Sequence, residues 1–110
     1  MIVRLVKMTF RRGEEERFQA LFEDWRHRII ASPGCLLLEL LHDAKDPRIF
    51  FTRSEWASAD FLEGYRRSPV FAEVWPVVKA MFAEKAEAWS LCSEQLMDGK
   101  TEPGQDAPDQ

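Results

Sequence analysis

The stretch SPVFAEVWPVVKAMF, residues 68–82, sets Phe71, Trp75, Val78 and Phe82 at helical spacing, with Pro76 in their midst. Such a stripe is either the buried face of a helix or one wall of a cavity that holds a small molecule. Few other side chains offer chemistry. The single tyrosine, Tyr65, brings a hydroxyl, Trp56 and Trp75 each bring an indole N–H, and Arg53 brings a guanidinium. Aromatic walls with a few polar groups suit a small aromatic or hydrophobic molecule. The expected pocket is lined by Phe22, Trp25, Tyr65, Phe71 and Trp75, under a helix that Pro76 breaks near Ala72 to Trp75. The competing reading is ordinary core, with Phe71, Trp75, Val78 and Phe82 facing a sheet alongside Trp25 and Phe22.

Other site chemistries find no footing. There is no Ser-His-Asp order, no phosphate-cradling glycine loop and no His/Cys/carboxylate cluster at metal spacing. Neither a metal nor a cofactor is therefore expected. His27 falls on the solvent side of a helix and His42 ends a strand. Cys35 and Cys92 are too few for a disulfide framework and read as small buried residues. The net charge of −4, with arginines in pairs rather than tracts, argues against nucleic acid. No apolar run approaches the ~20 residues of a membrane helix. Arg4 and Lys7 interrupt any signal-peptide core, so a cytoplasmic protein is expected.

The elements that must carry these residues follow from pattern. Residues 2–10 read as a strand. Residues 14–30 read as a helix with Phe18, Leu21, Phe22, Trp25 and Ile29 on one face and its early acids and late arginines matched to the helix dipole. CLLLELLHD and RIFFTRSEW read as a hairpin around AKDP. Ser58 caps a short helix, and Ser68 with Pro69 opens the next. WSLCSEQL, residues 89–96, reads as the last strand, and the tail from Met97 as disordered. This predicts one α+β domain over 1–96, a ferredoxin-like βαββααβ with a four-stranded antiparallel sheet, followed by a disordered tail, 97–110.

CLLLELL does not alternate. Leu36, Leu38 and Leu40 fall on one face, and Cys35, Leu37 and Leu41 on the other. Helices cover one face only, so a second copy packed on the other is expected, making a homodimer.

The Pro-Gly before the second strand, the Trp56-x-Ser58 helix start, the link YRRSPVF and the final AWS resemble the antibiotic-biosynthesis-monooxygenase family over roughly residues 1–96. The resemblance implies two ferredoxin-like subunits pairing as a dimeric α/β barrel. It also implies a cofactor-free monooxygenase acting on an aromatic phenol or quinol, whose substrate supplies the electrons. On that reading Tyr65 bonds a substrate oxygen, Arg53 stabilises a phenolate or peroxide charge, and Trp56 and Trp75 supply walls and N–H donors. Two alternatives stand beside it: a non-catalytic dimeric module that binds a small hydrophobic ligand, and a haem protein. The haem-binding relatives place their histidine ligand where this chain has Trp75, and Val6, Lys7 and Tyr65 stand where they have other residues, so haem would lose its anchor.

Overall fold

A computed structural model describes residues 1–99. Strand β1 (Ile2–Thr9) leads to helix α1 (Glu15–Ile30), the hairpin β2 (Cys35–His42) and β3 (Ile49–Trp56), helices α2 (Ala59–Arg66) and α3 (Pro69–Lys79), and strand β4 (Glu87–Leu91). The antiparallel sheet has the order β2-β3-β1-β4, the ferredoxin-like arrangement expected. Ser58 and Ser68 cap α2 and α3 by accepting from the N–H groups of Phe61 and Phe71. In the hairpin turn Asp43 accepts from the N–H groups of Lys45 and Asp46, which closes the loop without glycine.

Register sorts the sheet residues onto two faces, because side chains alternate along each strand. Arg4, Val6 and Met8 pair with Ser54, Thr52 and Phe50, and this set faces the helices. Helix α1 buries Phe18, Trp25 and Ile29 against it, with Leu21 and Phe22 packed alongside. One end of this layer is dense. Phe10, Phe18 and Phe50 meet with ring centres 4.4–5.7 Å apart, and Phe10 and Met81 are wholly enclosed. Toward the Arg4 end the filling thins.

Five expectations need correction. A β-bulge between Cys35 and Leu37 sets Cys35 opposite Trp56, on the helix side, and leaves Leu36 exposed. The simple alternation that grouped Cys35 with Leu37 fails because the bulge inserts a residue. Helix α3 runs unbroken through Pro76. Proline removes a single N–H there, and both Pro76 and Ala72, whose carbonyl loses its partner, lie on the exposed side. The buried residues of α3 are Val74 and Val78. Phe71 and Trp75 are only half-buried, and Phe82 lies beyond the helix, bridged to Phe10. Strand β4 starts at Glu87 and ends at Leu91 rather than spanning 89–96, and Cys92 is exposed, Cys35 half-buried. Most of the expected tail lies outside the described residues; Met97 is exposed. Among the described residues no helix is long and apolar enough to cross a membrane.

Candidate functional site

Between the sheet and the helices, at the loosely filled end, lies a cavity of about 320 Å³, within the range of small-molecule sites. Strands β1 and β3 supply its floor through Arg4, Val6, Thr52, Ser54 and Trp56. Phe22 and Trp25 of α1 close one side, and Tyr65, Phe71 and Trp75 of α2 and α3 the other. The cavity thus collects every expected pocket residue together with Trp56.

Its wall is a continuous chain of aromatic rings. Trp56 stacks on Tyr65 at 5.1 Å, Tyr65 meets Phe71 edge-on at 5.3 Å, and Phe71 stacks on Trp75 at 5.7 Å. Local structure sets this order. Tyr65 ends the last turn of α2, its carbonyl accepts from Ser68 N–H, and Ser68 caps α3 one turn before Phe71. The YRRSPVF link is therefore the hinge that holds Tyr65 and Phe71 against each other.

Tyr65 brings a hydroxyl to the aromatic wall of this space. Its pKa is pushed up to about 12, chiefly by burial and then by Cys35, with no hydrogen bond contributing. Among the described residues no fully buried side-chain polar atom lacks a partner. The hydroxyl, on a residue that lines the cavity, is therefore not sealed in core. It keeps its proton at neutral pH and acts as a donor, not as a base. The folded state favours the neutral phenol, so its contribution to stability is whole below the unfolded value near 10 and is lost as pH rises through about 12. Because the chain has one tyrosine, phenolate absorbance reads this group alone. A still-folded chain should show no phenolate until well above pH ~10, and ionisation at or below that value would contradict the geometry.

Two expected roles change. Arg53 does not line the cavity. It faces the opposite side of the sheet, bridging Glu39 at 3.0 Å and Glu55 at 2.8 Å. Strand alternation separates it from Ser54 and Thr52, and a sequence without register could not assign it a face. Trp56 is enclosed, and its Nε1–H donates to Ser54 Oγ at 2.9 Å. It supplies a wall and no free donor. Sequence reasoning missed Arg4, Ser54, Thr52 and Arg66 at the cavity. The signal for Arg4 was its place two residues before Val6 in a strand, on the same face. No histidine lines the cavity. His27 is exposed on α1, and His42 is exposed at the end of β2 with Nδ1 3.0 Å from the Asp43 carbonyl. The residues present do not fit a histidine-ligated haem.

The profile of the antibiotic biosynthesis monooxygenase family matches residues 1–75. Among solved structures, one described as an antibiotic biosynthesis monooxygenase aligns with TM-score 0.80 and 18% identity, covering 86% of this chain and all of that one. SnoaB, a cofactor-independent oxygenase from Streptomyces nogalater solved as a point variant, aligns with TM-score 0.79 and 15% identity over 89% of this chain and 97% of its own. A conserved protein from Methanosarcina mazei aligns with TM-score 0.77 and 20% identity over 83% and 91%. At such identities these likenesses bear on the fold. No curated protein matches the chain.

Proposed function

The chain belongs to the antibiotic biosynthesis monooxygenase family, and from that premise we propose that it is a cofactor-independent monooxygenase of an aromatic phenol or quinol. One atom of dioxygen enters the substrate ring and the other leaves as water, with both electrons drawn from the substrate. The observation that carries this reading is the unpartnered Tyr65 hydroxyl in an aromatic cavity. Stacked rings hold a flat substrate, and the hydroxyl donates to its oxygen as negative charge develops there. Tyr65→Phe removes that donor and leaves the packing volume nearly unchanged. Quinol-dependent oxygen uptake should fall roughly tenfold or more, with the melting temperature held. An unchanged rate would remove Tyr65 from the mechanism.

One observation favours a second reading, a module that binds without catalysis. Among the described residues the cavity lining contains no histidine or carboxylate to take a substrate proton near neutral pH. Tight binding of naphthol with no oxygen uptake from any quinol in a panel would select this reading.

The same proposal includes a homodimer. The open sheet face carries Val3, Leu5, Leu37, Leu41, Phe51 and Trp89 around the Arg53 ion pairs. A second copy laid on this face would bury them. Leu37 faces outward opposite Glu55, whereas Leu38 lines the cavity. Leu37→Glu should yield a folded monomer by sedimentation, and Leu38→Glu a destabilised chain. A wild-type monomer at micromolar concentration would sink the homodimer.

A further inference from the structure

We infer that the cavity takes an aromatic compound bearing a carboxylate, and that Arg4, with Arg66 beside it, selects for that group. This rests on the reading of the cavity as a ligand site. Arg4 and Arg66 are the charged residues in a lining whose other polar side chains are the hydroxyls of Thr52, Ser54 and Tyr65. Arg4 makes one hydrogen bond, from Nη1 to Ser90 Oγ at 2.9 Å. Among the described residues no carboxylate lies within ion-pair reach of it. A guanidinium has five donors in a planar fork, so most of this one is unspent.

The surroundings deepen the positive field. Arg4 is held below the ordinary arginine value first by burial and next by Arg66, while Glu63 acts in the opposite sense. Glu63 is already shared between Arg66 at 3.5 Å and Arg67 at 3.6 Å. Arg66 and Arg67 thus share Glu63, which leaves Arg4 only a longer-range attraction to that carboxylate. An arriving carboxylate would meet the fork in the two-pronged geometry that arginine favours. The location also suits entry. On the neighbouring strand β4, Ser90 pairs with Arg4 and Ala88 with Val6, and the small side chains of Ala86 and Ala88 line the cavity along that strand. A ligand could present its ring to Tyr65 and Trp75 and leave its anionic group at this edge.

The test compares naphthol with hydroxynaphthoic acid, followed by quenching of tryptophan emission. Wild type should bind the acid at least about tenfold more tightly than naphthol. Arg4→Gln should erase that preference, lowering affinity for the acid far more than for naphthol. Arg4→Lys, which keeps the charge and loses the fork, should fall between; it also carries the test if Arg4→Gln does not fold. Equal affinity of wild type for the two compounds overturns this inference and leaves the ligand-site reading standing, as does a preference that survives both Arg4 variants. Failure of both compounds to bind overturns the ligand-site reading, and the inference with it.

Discussion

Trp56→Ala is expected to lower the stability of the chain by about 3–5 kcal/mol, a fall in melting temperature of more than about ten degrees for a domain of this size. The side chain is 1% exposed and is among the largest fully enclosed groups in the molecule. Truncation opens a hole beside an existing cavity, where the neighbours have little to collapse onto. It also deprives the buried Ser54 hydroxyl of the indole donor at 2.9 Å and leaves Tyr65 with no ring beneath it. Trp56→Phe separates these effects. It keeps most of the stacking and loses the N–H, and should cost about 1–2 kcal/mol. Denaturant titration of both variants decides the matter: an alanine variant within about 1 kcal/mol of wild type would mean that Trp56 does not anchor the cavity floor.

Gly34→Ala should be nearly as damaging, for reasons of backbone rather than burial. Gly34 has φ of +76°, in the left-handed region, and a Cβ built there would sit 2.2 Å from Cγ of Phe61. The strain is about 1–2 kcal/mol, and the ring must also move, for a combined loss of roughly 2–4 kcal/mol. The Gly34 carbonyl accepts from Ala57 N–H at 2.8 Å, just before the Ser58 cap. Displacing Phe61 therefore shifts the first turn of α2 and, one turn on, Tyr65. Ligand affinity should drop along with stability. Gly34→Ala with wild-type stability would show that Phe61 yields freely. Phe61→Ala in the same chain should recover part of the loss if the clash is its source.

The local parts of this structure were readable because their causes are local. The Ser58 and Ser68 caps, the Asp43 turn and the stripe on α1 need only neighbours a few residues away. The pocket aromatics were found because helical spacing put Phe71 and Trp75 on one side of α3. What was not readable depends on partners distant in the chain. The bulge at Leu36 is invisible in a run of leucines, yet it turns Cys35 toward Tyr65. The start of β4 at Glu87 lies in AEKAEA, whose residues favour helix. Pairing with β1 overrides that preference, aided by Lys7 at 3.7 Å from Glu87. Arg53 and Arg4 exchange places for the same reason: each is a charge in an apolar strand, and only register says which faces the cavity.

The two-residue period of the strands has a consequence for how such a chain can diversify. Arg4 adjoins Leu5, Ser54 adjoins Glu55, and Leu38 adjoins Leu37, and in each pair the first points to the cavity and the second to the open face. A single-base change in one codon can alter what is held inside while an adjacent codon governs what meets the sheet outside. The two properties share a backbone yet occupy alternate codons of the gene, so drift in one leaves the other free to stay as it was.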